Sequence, residues 1–175
     1  MLKKILLVVL LLIVAVLVLA ATKPDTFQVE RSATIRAAPE KLFALIDDFH
    51  QWPQWSPWEK LDPEMQRTLT GAPSGKGAIY AWKGNSDVGE GRMEIMDSVP
   101  PSKVTIQLDF IEPMEATSTT EFTLTPQGDS TTVRWTMSGE NNFLGKLMCV
   151  FMSMDAMIGK DFEAGLATLK TVAEK

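Results

Sequence analysis

Few residues of this sequence have the type and spacing that catalysis or metal binding requires. The chain contains one histidine, His50, and one cysteine, Cys149. Zinc sites take three or four ligands from Cys, His and carboxylate side chains, so one His and one Cys cannot supply any of the usual ligand sets. A Ser-His-Asp or Cys-His device would have to use His50, which its neighbours Gln51 and Trp52 place in a surface loop. We therefore expect no metal site, no cofactor and no histidine-based catalytic centre.

Charged residues on predicted strands are the remaining candidates for enzyme chemistry. A buried carboxylate with a raised pKa could act as a general base, with Tyr80 as its acid partner. Charged residues on strands more commonly form the solvated face of a sheet, and we favour that interpretation here. The same caution applies to Asp155 and Asp161 in the last predicted helix. The candidates on strands are Glu90, Arg92, Glu94, Asp109, Glu112, Glu115, Glu121, Arg134 and Glu140.

The most unusual local feature is the segment WPQWSPW at residues 52–58. Trp52, Trp55 and Trp58 recur at every third residue, but Pro53 and Pro57 exclude an ordinary helix face. Tryptophan supplies a large apolar area with an N–H donor, so these rings could form a rigid lip at the mouth of a ligand cavity. The alternative, which we favour, is that they fill the end of the core beneath an irregular loop.

Two further groups of residues could line a hydrophobic cavity. Aromatic residues on the predicted strands could face either a cavity or a filled core, because strand parity does not distinguish the two. The segment FLGKLMCVFMSMDAMIG is apolar nearly all round and rich in methionine, which adapts to irregular apolar surfaces. It could face the core, a ligand, the membrane or a partner chain. The predicted ligand-binding residues are Trp52, Trp55, Trp58, Tyr80, Trp82, Phe110, Trp135, Met148, Phe151 and Met152.

The elements that must position these residues begin with an apolar N-terminal segment. Seventeen apolar residues, 5–21, follow the sequence MLKK. A helix of this length measures about 26 Å, the short end of what crosses a hydrocarbon core. Two lysines precede the segment and one closely follows it, which predicts a cytoplasmic N-terminus and an extracytoplasmic domain. A cleaved signal peptide is the alternative, with Val18 and Ala20 before the cut, but the apolar run is longer than usual and favours an uncleaved anchor.

The remaining 154 of the 175 residues fit one globular domain. Hydrophobic residues make up 45 % of the chain and charged residues 22 %, which excludes a disordered protein. Both lysines of MLKK lie before the apolar run, so the part of the chain after residue 21 contains 15 of the 17 basic residues and all 22 acidic ones. Its net charge is therefore −7. An acidic domain lacks the clustered Lys and Arg that nucleic acids and anionic lipid surfaces require, so we expect it to bind neither.

Apolar periodicity predicts the order strand, short helix, six strands and long helix. Residues 27–35 alternate as a half-buried strand, and AAPEKLFALIDDF is typical of a helix that starts near Pro39. A helix of about thirty residues, roughly 142–174, ends the chain. The short connections favour antiparallel strands, and a long helix laid across a curved sheet tends to leave a cavity. The six later strands are predicted at 65–70, 78–82, 91–99, 103–111, 115–125 and 130–138.

These residues resemble the START-like superfamily (SRPBCC), in its polyketide cyclase/dehydrase and lipid-transport branch. The resemblance rests on FQVERSATIRAAPEKLFALIDDFHQWPQWSPW, on YAWKGNSDVGEGRMEI and on IGKDFEAGLATLK, and it extends from Phe27 to the C-terminus. It implies a helix-grip fold, in which a seven-stranded antiparallel sheet curves around a long C-terminal helix and encloses a hydrophobic cavity. Members of the superfamily use that cavity for lipids, hormones or polyketides. The superfamily shares no single catalytic motif, so the resemblance assigns no catalytic residue.

We therefore predict an α+β protein with a transmembrane anchor or signal segment at 1–21, a tether at 22–26 and a START-like domain at 27–175. The function we favour is binding of an apolar or amphipathic small molecule, such as a lipid, by a membrane-tethered domain without enzymatic activity. One alternative is a ligand-free module that binds a protein through the last helix; another is an enzyme of the cyclase or dehydratase type. The expected partners are the membrane and a hydrophobic small molecule or lipid, with no nucleic acid and no metal.

Overall fold

The computed structural model describes all residues, 1–175, and confirms the predicted order of elements. A single apolar helix precedes the domain, and two short 3-10 helices connect the first helix of the domain to its later strands. The elements are α1 (Leu2–Ala21), β1 (Thr26–Ile35), α2 (Pro39–Asp47), the 3-10 helices Phe49–Gln54 and Pro57–Lys60, β2 (Gln66–Gly71), β3 (Ala78–Lys83), β4 (Glu90–Val99), β5 (Lys103–Glu112), β6 (Ala116–Gln127), β7 (Ser130–Glu140), α3 (Phe143–Phe151) and α4 (Met154–Ala173).

The seven strands form one antiparallel sheet in the order β1-β7-β6-β5-β4-β3-β2. Consecutive strands from β2 to β7 are neighbours, as their short connections require, and β1 pairs with β7 at one edge. Alternate residues point to one face, and that face carries the core. The fully buried strand residues include Val29, Ile35, Ile95, Val104, Ile106, Phe122 and Val133. The sheet and its C-terminal helix confirm the predicted helix-grip fold.

Helix α4 lies along β1 and buries one apolar face against the sheet. Phe162, Leu166 and Leu169 on this face are almost completely buried. Gly165 permits the close approach, because a Cβ there would lie 2.8 Å from Cζ3 of Trp135. In the first half of α4, Asp155 and Glu163 pair with the Arg31 guanidinium of β1, at 2.7 Å and 2.6 Å. The result is a helix held against one side of the sheet.

The terminal helix differs from the sequence prediction, because the structure contains two helices instead of one. Met152 adopts an extended conformation with φ −150° and ψ 131°, which ends α3. Ser153 then begins α4 as an N-cap, and its Oγ accepts a hydrogen bond from the amide of Ala156 at 3.2 Å. Asp155 adds a negative charge in the first turn, which the helix dipole favours. The continuous helix predicted over 142–174 was therefore wrong at this point.

Helix α1 is long and apolar enough to cross a membrane, and nearly all of its surface is exposed. It packs against α3. The predicted tether that follows is held by hydrogen bonds: the hydroxyl of Thr22 donates to the carbonyl of Leu19 at 2.7 Å, and the amide of Asn141 donates to the carbonyl of Asp25 at 2.7 Å. The side-chain amide of Asn141 also donates to the carbonyl of Pro24 at 3.2 Å. The segment between α1 and β1 is thus fixed to the residues that precede α3.

Candidate ligand-binding cavity

A cavity of about 400 Å³ lies between the first half of α4, the tryptophan-rich segment and the inward face of the central strands. It exists because α4 follows β1 at one edge of the sheet and leaves part of the apolar face over β3, β4 and β5 uncovered by a helix. Fourteen of its 18 lining residues are hydrophobic. Such a lining favours an apolar or amphipathic occupant.

Six of the ten predicted ligand-binding residues line this cavity, and four do not. Trp55 lies beneath the cavity wall and is 1 % exposed. Met148, Phe151 and Met152 lie on α3 or at its end, with exposures of 39 %, 77 % and 54 %. They do not line the cavity because α3 packs against α1 instead of the sheet. The six that line it are Trp52, Trp58, Tyr80, Trp82, Phe110 and Trp135.

The tryptophan segment forms the floor of the cavity, as part of an aromatic cluster in the core. Trp52 and Trp55 are buried, and their indole N–H groups donate to the carbonyls of Ile46 and Leu45 at 2.9 Å each. These carbonyls belong to the last turn of α2, where a helix leaves carbonyls without internal partners. The indoles thereby satisfy the end of α2 and fix the irregular segment. This agrees with the favoured core interpretation for Trp52 and Trp55.

Trp135 of β7 connects this cluster to α4. Its ring stacks on Phe162 with centroids 4.0 Å apart and planes 9° apart. Trp58 meets both rings edge-on, at 5.7 Å from Trp135 and 6.3 Å from Phe162. The indole nitrogen of Trp135 is buried and has no hydrogen-bond partner, unlike those of Trp52 and Trp55. The core behind the cavity therefore contains one unsatisfied donor.

Trp82 owes its position to a glycine on the neighbouring strand. A Cβ at Gly91 would lie 2.4 Å from two atoms of the Trp82 ring, so the ring occupies the space that a side chain would take. The indole N–H donates to the carbonyl of Val88 at 3.0 Å, and the ring meets Phe110 edge-on at 6.2 Å. The register of β4 and β5 shifts between Glu90 and Gly91, so a β-bulge lies next to this close contact.

Tyr80 belongs to a polar network at the edge of the cavity. Its hydroxyl donates to Oε1 of Glu59 at 2.5 Å, while Nε of Arg67 donates to Oε2 of the same carboxylate at 2.6 Å. Burial, together with the Glu59 carboxylate, raises the pKa of Tyr80 well above its ordinary value. A phenol that holds its proton this firmly is a poor general base or acid near neutral pH. The network therefore fixes the ring in the wall.

Two acidic residues, Asp87 and Asp161, line the cavity where it meets solvent. Neither side chain takes part in a hydrogen bond or an ion pair within the molecule. Burial raises the pKa of the Asp161 carboxyl above its ordinary value. The other polar lining residues, Ser56 and Thr120, are buried at 4 % and 5 % exposure. Asp87 is exposed and Met157, Ile158 and Asp161 are half-buried, so the mouth of the cavity lies between the loop that carries Asp87 and the first turns of α4.

The charged candidates on the strands lie outside the cavity. Most of them pair across the opposite face of the sheet: Glu90 with Lys83, Arg92 with Glu94 and Asp109, Glu121 with Lys103, and Arg134 with Glu30. None of these strand residues lines the cavity, as the sequence interpretation favoured. Asp155 is likewise paired, with Arg31. Of the acidic residues considered from sequence, Asp161 alone lines the cavity.

The sequence analysis missed several lining residues, although some of them carried a signal. Strand alternation identifies Leu108 and Met137 as inward, but it does not place them at a cavity instead of a filled core. Asp87 and Val88 carried no signal at all, because a turn between β3 and β4 has no periodicity. The lining residues not among the predicted ten are Ser56, Met65, Asp87, Val88, Met93, Leu108, Thr120, Met137, Met157, Ile158, Asp161 and Phe162.

A curved seven-stranded sheet that closes on a C-terminal helix over an apolar cavity defines a helix-grip domain. The family described as "Polyketide cyclase / dehydrase and lipid transport" matches residues 26–174, and the chain belongs to that family. This confirms the resemblance drawn from the sequence. No curated protein sequence matches the chain.

Solved structures share this fold at low sequence identity. Protein CV1439 from Chromobacterium violaceum is 13 % identical with a TM-score of 0.61, and the match covers 87 % of this chain and 99 % of that protein. The Aha1 dimer from Colwellia psychrerythraea is 18 % identical with a TM-score of 0.61, over 85 % of this chain and 96 % of that one. BexL, a di-domain aromatase/cyclase from the BE-7585A biosynthetic pathway, is 14 % identical with a TM-score of 0.62, over 90 % of this chain and 53 % of BexL. These likenesses show the fold alone.

Proposed function

We propose that this protein is a membrane-tethered domain that holds one apolar or amphipathic small molecule, such as a lipid, between β3–β5 and α4. The observation that carries the proposal is the cavity of about 400 Å³ with 14 hydrophobic residues among 18. Small-molecule sites are mostly apolar clefts of about 300–1,000 Å³ with a few placed polar groups. A volume near the lower end of that range suits a single-chain amphiphile or a fused-ring molecule better than a two-chain phospholipid.

The charges at the mouth favour a ligand whose polar end is neutral or cationic. Asp87 and Asp161 line the cavity, and no Lys, Arg or His lines it. A carboxylate or phosphate placed there would meet like charges without a compensating partner. A hydroxyl or an amine could instead donate to Asp161.

The anchor supports a ligand that comes from a membrane. Helix α1 has a mean hydropathy of 3.2 and is long enough to cross a bilayer. The two lysines before it favour a cytoplasmic N-terminus and an extracytoplasmic domain. An uncleaved α1 holds the cavity close to the bilayer, where apolar molecules are concentrated.

An enzyme of the cyclase or dehydratase type is the second candidate, and Asp161 favours it. Its raised pKa and its position at the cavity suit a general base. A base of this kind needs an acid partner in reach of the same substrate. The Tyr80 hydroxyl already donates a hydrogen bond to Glu59, so the lining offers no free phenol for that role. Binding without chemistry is therefore the better-supported function.

Tryptophan quenching by brominated chains provides the test of binding. All five tryptophans lie in the domain, and Trp52, Trp58, Trp82 and Trp135 line the cavity, whereas α1 and α3 contain none. The full-length protein in nanodiscs is titrated with 9,10-dibromooctadecanol and with 9,10-dibromostearate, which share one chain and differ in their polar end. We expect saturable quenching, with tighter binding of the alcohol than of the carboxylate. Asp161→Asn should narrow the difference in affinity between the two probes.

The control is a pair of variants that differ only in where a phenylalanine is added. Leu108→Phe places the larger ring in the cavity wall and should weaken probe binding. Val99→Phe adds a ring at an exposed position of β4 and should leave it unchanged. Linear, non-saturating quenching that both variants share would mean that the probes only partition into lipid, which would overturn the proposed binding function.

The anchor is tested separately by intact mass measurement of the protein extracted from cell membranes. The uncleaved chain, resistant to extraction by alkaline carbonate, is the expected result. A mass that lacks the first twenty or so residues, with release of the protein into the aqueous fraction, would show a cleaved signal and contradict the tether.

A further inference from the structure

Helix α3 presents an apolar surface to the outside of the domain. None of its residues is fully buried. Its single charged residue, Lys146, pairs with Asp25, and the Lys146 side chain is only 14 % exposed. Between Asn142 and Ser153 no exposed charge interrupts the surface. The exposed apolar residues are Phe143, Leu144, Met148, Phe151 and Met152.

This surface continues that of α1. Among residues 1–21 only Val16 is half-buried and only Ala20 is buried, and these two lie one helical turn apart. Helix α3 is the element packed against α1, and the hydrogen bonds of Asn141 to Pro24 and Asp25 fix the start of α3 at the end of α1. Helix α3 therefore lies beside the last turns of the apolar helix.

We propose that α3 lies in the membrane–water interface beside α1, with its exposed face in contact with the lipid bilayer. The inference rests on the proposed tether. Nine residues measure about 13 Å, too short to span a bilayer, so α3 lies in its surface. Val16 precedes the end of α1 by five residues, about 7.5 Å along the axis. Interfacial helices bury their apolar faces about 5–10 Å deep, and the distance from the end of α1 to Val16 falls within that depth.

The bilayer is favoured over a protein partner because the two apolar surfaces are continuous. Helix α1 exposes apolar side chains on every side, and lipid surrounds them when a lone helix spans a membrane. A helix packed against its last two turns necessarily lies at the same level. Phe143 and Phe151 at the two ends of α3 supply the large apolar groups typical of interfacial helices.

This placement also brings the mouth of the cavity to the membrane. Helix α3 joins α4 through Met152 and Ser153, and Met157, Ile158 and Asp161 of α4 line the cavity near its mouth. Met157 follows Met152 by only five residues. An apolar molecule could thus pass between the bilayer and the cavity by way of the α3–α4 junction, without crossing bulk water.

Site-specific labelling of the full-length chain tests the proposal. Cys149 is the only cysteine, so a Cys149→Ala background accepts one new cysteine at a time. The environment-sensitive fluorophore NBD is attached at Phe151→Cys in α3, at Leu10→Cys in α1, and at Asp129→Cys in the turn between β6 and β7 as the aqueous control. The proteins are reconstituted in phosphatidylcholine vesicles, and quenching by externally added iodide is measured.

The expected result is a blue-shifted emission and a several-fold loss of iodide quenching at positions 10 and 151, relative to position 129. Protection at 10 with full quenching at 151 would overturn the interfacial helix and leave the tether intact. Full quenching at both positions would overturn the tether as well. If protection at 151 disappears when the protein is diluted to one chain per vesicle, a second copy covers α3 and the bilayer assignment is wrong.

Discussion

Replacing Phe162 by alanine tests whether α4 is seated on the sheet as the structure describes. The Phe162 side chain is 1 % exposed, stacks on Trp135 at 4.0 Å and meets Trp58 edge-on. Truncation of a buried phenylalanine to alanine costs about 3–5 kcal/mol in the free energy of unfolding. Since whole domains are stable by about 5–15 kcal/mol, this single change should remove a large part of the total.

A leucine at the same position separates apolar burial from aromatic geometry. Phe162→Leu keeps most of the apolar contact but loses two aromatic pairs, each worth about 0.5–1.5 kcal/mol. Phe162→Leu should therefore lower the free energy of unfolding by about 1–3 kcal/mol, less than Phe162→Ala does. Phe151→Ala is the matched control, because the same truncation at a residue that is 77 % exposed should cost less than about 0.5 kcal/mol.

Urea unfolding of the detergent-solubilised full-length chain provides the measurement, followed by tryptophan fluorescence. With a slope of about 2 kcal/mol per molar urea, Phe162→Ala should lower the midpoint by about 1.5–2.5 M. If Phe162→Ala and Phe151→Ala shift the midpoint equally, the seating of α4 against Trp135 is refuted. If Phe162→Leu is as stable as the wild type, the ring stack contributes nothing specific.

Two further predictions follow from the cavity wall. Tyr80 is the only tyrosine, so phenolate absorbance should show its ionisation well above pH 10 in the folded chain and near 10 in urea. Because the folded state holds the phenol proton of Tyr80 more tightly than the unfolded state, the protonated phenol stabilises the fold below about pH 10, and this stabilisation is lost as the pH rises further. Ionisation of Tyr80 near about pH 10 in the folded chain would contradict the prediction. Gly91→Ala should displace the Trp82 ring, cost about 1–3 kcal/mol and alter the near-ultraviolet circular dichroism. Gly91→Ala should cost less in a Trp82→Leu background. An equal loss of stability with Trp82 and with Leu at position 82 would show that the contact with the Trp82 ring is not its cause.

The sheet could be predicted from sequence because its signal is local. Val104, Ile106, Leu108 and Phe110 alternate with polar residues along β5, and turn residues separate each strand from the next. A period of two assigns each side chain to a face without knowledge of the partner strand. The strand ends in the structure consequently fall within about two residues of the predicted ones, the usual uncertainty of element ends.

The cavity could not be predicted to the same depth, because it depends on distant packing. The break at Met152 and Ser153 lies inside an apolar stretch whose helical spacing continues on both sides. The partner of α3 is α1, more than 120 residues earlier in the chain, so Phe151 and Met148 face outward despite their apolar character. Asp161 lines the cavity only because of where α4 crosses the sheet, which no local pattern encodes.

Native mass spectrometry of the full-length protein, purified from its own cells in mild detergent, tests the central claim most directly. The account predicts a single small apolar or amphipathic adduct per chain, with a neutral or cationic polar end, whose amount falls in Leu108→Phe and is unchanged in Val99→Phe. A bare chain under conditions that preserve other lipid complexes, with both variants identical to the wild type, would contradict ligand binding in this cavity.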